Sequence, residues 1–153
     1  MRLESYPDLK SASQVHLQLA LKYLDEGRGL IGEDPTQASE KLYKAAEEAV
    51  KALTAYFNLS NILSSVEKRG RWTVTELEKA VEAISEKLGA WFRGSWDTAW
   101  TLHVWGFHEA KLNSKAVEIR LPDIERIVIE TQKNMKKRGS YPILTSSLLY
   151  GAS

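Results

Sequence analysis

The chain has 153 residues, 43% of them hydrophobic and 27% charged, with a formal net charge of +1. That length suits one domain able to bury a core without help from metal or disulfide, and the apolar content excludes wholesale disorder. Near-neutrality excludes a global electrostatic drive toward nucleic acid or anionic lipid, and the lack of cysteine excludes disulfides, thiolate metal sites and cysteine nucleophiles.

No run approaches the ~18 uncharged apolar residues that a membrane span needs. The opening segment Met1 to Asp8 has no apolar stretch of the signal-peptide kind. The expectation is a cytoplasmic protein with no membrane partner. Residues 1–138 are read as one helical domain and 139–153 as an uncharged, apolar tail that docks on this chain or on a partner.

Leu9, Ala12, Leu19, Ala20, Tyr23 and Leu24 keep helical spacing and predict a first helix from about Pro7 to Asp25, with Gly27 and Gly29 as stop signals. A second helix begins at Asp34-Pro35-Thr36-Gln37, an N-cap followed by proline at the first helical position and a capping-box glutamine. Ala38, Leu42, Ala45, Ala46, Ala49, Leu53 and Tyr56 then hold one face, and the alanines imply close approach of a neighbour. Asn58 to Ile62 reads as an extension of that helix or as a turn. A third helix starts at the capping box Thr73/Glu76, with Trp72 and Leu77 at the staple positions, and carries the stripe Leu77, Ala80, Val81, Ile84 and Leu88. A fourth covers roughly Ser95 to Leu112, starting as early as Trp91. A fifth runs from Pro122 to Arg138 on Ile124, Ile127, Val128, Thr131 and Met135. No segment alternates as a strand does. The fold class is therefore all-α, an antiparallel up-and-down bundle of four to five helices without a β-sheet.

The fourth helix carries most of the unusual chemistry. Four of five tryptophans, Trp91, Trp96, Trp100 and Trp105, fall within fifteen positions. Trp96, Trp100, His103 and Phe107 share one α-helical face, and Asp97, Thr101, Trp105 and His108 an adjacent one. The first set reads as core, or as an aromatic pocket that binds a flat ligand. Trp105 is assigned to a subunit interface. On an α-helix His103 and His108 diverge by about 140° and do not chelate one ion. No zinc signature is present, so neither metal nor cofactor is expected. Arg93, Asp97, His103 and His108 are the candidates for acid–base chemistry. Arg69, Arg71 and Trp72 form a basic loop ending in an aromatic, a candidate contact for single-stranded nucleic acid or simply a solvated turn with a staple.

Two segments carry a family resemblance. Tyr43-Lys44-Ala45-Ala46-Glu47-Glu48-Ala49-Val50-Lys51-Ala52-Leu53 resembles the alanine-rich second helix of HEPN domains. Trp100-Thr101-Leu102-His103-Val104-Trp105-Gly106-Phe107-His108-Glu109-Ala110 is similar to the signature of the archaeal PaREP-type family, grouped with HEPN. The resemblance covers roughly residues 5–138. It implies a HEPN-like bundle, a homodimer, and either a ribonuclease of toxin–antitoxin-like systems or a non-catalytic partner of a nucleotidyltransferase. The ribonuclease branch carries an arginine followed by a histidine with four to six residues between them. Here nine residues separate Arg93 from His103, and neither His16 nor His108 has an arginine at the right distance. That departure favours a non-enzymatic binding or assembly module over a divergent ribonuclease or nucleotide-processing enzyme.

Overall fold

The computed structural model describes residues 5–137. They form seven α-helices: α1 (Ser5–Leu30), α2 (Pro35–Tyr56), α3 (Ser60–Arg69), α4 (Val74–Leu88), α5 (Trp91–Thr101), α6 (Ser114–Glu118) and α7 (Leu121–Lys137). A π-helical segment, Leu102–His108, continues α5 directly. Among the described residues there is no strand, and no helix is long and apolar enough to cross a membrane. The tail from Gly139 lies outside the described residues.

The centre of the molecule is α2, which touches every other helix and the π segment. Its buried positions are mostly small: Ala38, Ser39, Ala45, Ala46, Ala49, Ala52 and Ala55 accompany Leu42, Tyr43, Val50 and Leu53. Small side chains let backbones approach on several sides at once, so an alanine-rich helix takes the crowded centre. The aromatic α5 lies against α2 as one of its neighbours. Asp34 caps α2 by accepting from the Gln37 amide at 3.1 Å.

Paired residues fix the helix directions. Gly27 meets Leu42, Glu26 bonds Lys41 at 2.9 Å and His16 bonds Glu48 at 2.6 Å, so α1 and α2 run antiparallel. Tyr43 lies against Trp96 and Trp100 while Glu40 and Ser39 meet His103 and Gly106, so α5 and its π extension run antiparallel to α2. Thr98 donates to Asp123 at 2.7 Å and Arg126 covers the Trp91 ring at 4.0 Å, which sets α7 antiparallel to α5.

Two boundaries differ from the sequence reading. α1 does not stop at Gly27 but runs to Leu30. Gly27 is buried, and a Cβ there would lie 2.6 Å from Leu42 Cδ2. The glycine admits the neighbouring helix, and the packing so gained outweighs its helix-propensity cost of about 1 kcal/mol. Second, residues 60–69 form the separate helix α3. Asn58, at φ +51°, turns the chain out of α2, and Gly70, at φ +77°, ends α3 in the left-handed conformation that glycine adopts without strain. With the short α6, the described residues thus form seven α-helices where four to five are expected.

The start of α4 follows the predicted capping box. Glu76 is 1% exposed yet fully bonded. It accepts from the Thr73 amide at 3.1 Å, from the Thr73 hydroxyl, from Ser65 Oγ at 2.5 Å and from Arg69 Nε at 2.7 Å. The Ser65 and Thr73 hydrogen bonds hold its carboxyl down at about 2, below the ordinary 4.5. A carboxyl depressed in the folded state adds stability above its unfolded pKa and loses it as pH falls toward the folded one. Thermal melts of wild type and Glu76→Gln should therefore differ by a constant amount above pH 5, and the gap should close between pH ~4.5 and ~2. A gap that persists unchanged at pH 2 would show that the charge is not what Glu76 contributes.

Candidate functional site

The site is built where α5 becomes the π segment. Along α5, Phe92 and Trp96 are buried, and the Trp96 indole N–H donates to Glu78 Oε2 at 2.9 Å. Tyr43 of α2 is 4% exposed and sits at the hub of the rings. Its centroid lies 5.8 Å from that of Trp96, 5.9 Å from that of Trp100 and 4.1 Å from that of His103, with which it stacks. Burial, followed by the nearby Glu47 and Glu40 charges, pushes the Tyr43 phenol up. It stays protonated at neutral pH and is a platform, not a base.

After Thr101 the backbone winds more loosely. The Glu109 amide bonds the Val104 carbonyl at 2.9 Å, an i→i+5 bond, and the Lys111 amide bonds the Trp105 carbonyl at 2.8 Å. Gly106 allows the segment to rest on α2, since a Cβ there would lie 2.2 Å from Ser39 Oγ. Ala110, at φ +52°, then turns the chain away.

The winding overturns the expected geometry of the histidines. A π-helix has about 4.4 residues per turn, so side chains five apart lie within about 50° of each other instead of 140°. His103 and His108 accordingly face each other, with their Nε2 atoms 3.3 Å apart and ring centroids at 4.5 Å. The other nitrogen of His103, Nδ1, lies 2.9 Å from Glu40 Oε1. A carboxylate only accepts, so Nδ1 carries a proton, and in the neutral tautomer that this selects Nε2 has its lone pair on the side of His108. The result is a line of Glu40, His103 and His108 running from α2 out to solvent. Among the described residues no three His, Asp or Glu side chains cluster as an ion site.

The other sequence candidates are distributed as follows. Trp96 is enclosed by protein, which leaves the open rim of the aromatic face to the half-buried Trp100, His103 and Phe107. Arg93 and Asp97 are exposed on α5, and no hydrogen bond or ion pair joins them to the histidines. Trp105 is 52% exposed. Arg69 is engaged by Glu76, Trp72 packs on the core beneath Lys51 Nζ at 6.0 Å, and Arg71 is exposed. Sequence reasoning missed Glu40 and Ser39 as parts of this site. Both lie on the neighbouring helix, and spacing along one helix does not reveal which residues of another it meets. A second Glu–His pair, Glu48 and His16, bridges α2 and α1. Burial alone would raise Glu48; the His16 hydrogen bond and the Lys51 charge outweigh it and hold the carboxyl low.

Comparisons with known proteins bear on the same region. The model of the archaeal PaREP1/PaREP8 family matches residues 15–128, which include α2, α5 and the π segment. Among solved structures, a crystal structure of a Sulfolobus solfataricus protein is 38% identical, with a TM-score of 0.72 over 76% of this chain and 96% of that one. The solution structure of the Orf c02003 protein, determined for the same structural-genomics target, is 36% identical, with a TM-score of 0.61 over 82% of this chain and 92% of that one. No curated protein matches significantly. A family match across most of the chain, joined by relatives of this identity along nearly their whole length, means that the chain belongs to the archaeal PaREP1/PaREP8 family.

Proposed function

We propose that this chain is a HEPN-like binding and assembly module that pairs with a second copy of itself and performs no RNA cleavage. The observation that carries the reading is Trp105, a large aromatic left 52% exposed on a segment whose next residue, Gly106, is fixed against α2. Exposed tryptophans on rigid elements are the residue type that most often anchors a protein interface. The separation of Arg93 and Asp97 from the histidines adds support, because the four do not form one catalytic constellation. On this reading the dimer presents its remaining surface to a nucleotidyltransferase-like partner, in a toxin–antitoxin-like arrangement.

Sedimentation of wild type and Trp105→Ala at micromolar concentration tests the proposal. Wild type should run as a dimer. The variant should shift toward monomer, with the pairing weakened by at least ~2 kcal/mol. Its helical circular dichroism should be unchanged, because the ring is half in solvent. A wild-type monomer would sink the reading. Cleavage of labelled RNA by wild type, lost in the His103→Ala/His108→Ala double variant, would replace it with a divergent ribonuclease.

A further inference from the structure

We infer that the π-helical segment is a metal-chelating site in which His103 and His108 hold one borderline transition-metal ion, of which Zn²⁺ is the type, through their Nε2 atoms. This is independent of whether the chain dimerises.

The first argument is the spacing. Two imidazole nitrogens at the usual zinc distance of about 2.0–2.1 Å, with a tetrahedral angle between them, stand about 3.3–3.4 Å apart. The two Nε2 atoms are 3.3 Å apart. The same separation also admits an N–H···N hydrogen bond between the two rings, which a bound ion would replace. With both lone pairs on one ion, the ring centroids would open to about 5 Å from their present 4.5 Å. His108 is exposed and can rotate that far without disturbing the core.

The second argument is the support behind His103. Metal-bound histidines commonly donate their other ring N–H to a carboxylate, which fixes the tautomer and makes the ligating nitrogen more basic. Glu40 stands in that place, 2.9 Å from Nδ1. Tyr43 stacks on the imidazole face at 4.1 Å and holds its plane. One ligand is thus preset and the other is solvent-facing. Two protein ligands leave the remaining positions for water or for an oxygen or nitrogen donor from a bound molecule, one more open position than the three-ligand catalytic zinc sites have. Imidazole pairs select ions of the Zn²⁺, Ni²⁺ and Cu²⁺ kind over Mg²⁺ and Ca²⁺, which prefer oxygen cages.

The test is calorimetric titration of tag-free full-length protein with zinc chloride, in parallel with magnesium chloride. Wild type should bind zinc at one ion per chain, or at one per two chains if the second copy supplies two more imidazoles, and should not respond to magnesium. His103→Ala and His108→Ala should each lose at least ~10-fold in affinity, and Glu40→Gln should lose ~10–100-fold while keeping both ligands. Because imidazole binds metal only when neutral, binding should weaken as the solution is acidified. His16→Ala serves as the control at the other Glu–His pair and should bind as wild type does. Circular dichroism of His108→Ala should match wild type, since that side chain is exposed. No zinc binding by wild type, or equal binding by His108→Ala, would overturn the inference.

Discussion

Trp96→Ala should remove about 3–5 kcal/mol of stability, the usual cost of truncating a fully buried large aromatic. Trp96 is 1% exposed and is the largest of the fully buried side chains. Truncation would leave a cavity against Tyr43 and would remove the indole N–H that the Glu78 carboxylate accepts at 2.9 Å. A chemical denaturation midpoint reads the effect directly. Trp96→Phe should recover most of the loss, because it refills the volume without the N–H. Trp105→Ala is the natural comparison. The residue type is the same and the position is nine residues later, yet the half-exposed ring should leave the fold almost unchanged and act only on association. A Trp96→Ala loss below about 1 kcal/mol would mean that the core collapses around the gap far more readily than such cores do.

Gly106→Ala should cost about 1–3 kcal/mol, the range for forcing a methyl group into a packed interior. For a domain of this size that is a fall of several degrees in melting temperature. The new Cβ would lie 2.2 Å from Ser39 Oγ and 2.6 Å from Ser39 Cβ, so the whole side chain, not just a flexible tip, stands in the way. Ser39 is itself held, its hydroxyl donating to the Pro35 carbonyl at 2.8 Å. The π segment would have to lift from α2, and His103 would be drawn away from Glu40 and Tyr43. Adding Ser39→Gly to Gly106→Ala should restore part of the stability by reopening the space. A fully additive double variant would show that the two positions do not press on each other. Loss of zinc binding in Gly106→Ala, regained with Ser39→Gly, would tie the geometry of the histidines to this one contact.

Much of the secondary structure is legible in the sequence because it depends on local chemistry. The Asp34 cap and the Thr73/Glu76 box satisfy amides within one turn of themselves, and both operate as their spacing predicts. The stripe Ile124, Ile127, Val128, Thr131 and Met135 is buried along its length, because period 3.6 places those positions on one side whatever the neighbour is. Ser60–Arg69 was less legible: α3 is only ten residues long and buries only Ile62.

What the sequence by itself determined is an all-helical chain, where its capped helices start, which faces are apolar, and a family signature around His103 and His108. The tertiary structure decided the rest. It made alanine-rich α2 the centre, because small side chains let several backbones close in together. It turned Gly27 from a stop into a contact and Gly106 into the seat of the π segment, because in both cases a neighbouring helix occupies the space that a Cβ would fill. It brought His103 and His108 face to face, because nearly one residue more per turn changes which side chains share a side, and that change of winding leaves no mark in an α-helical reading of the sequence.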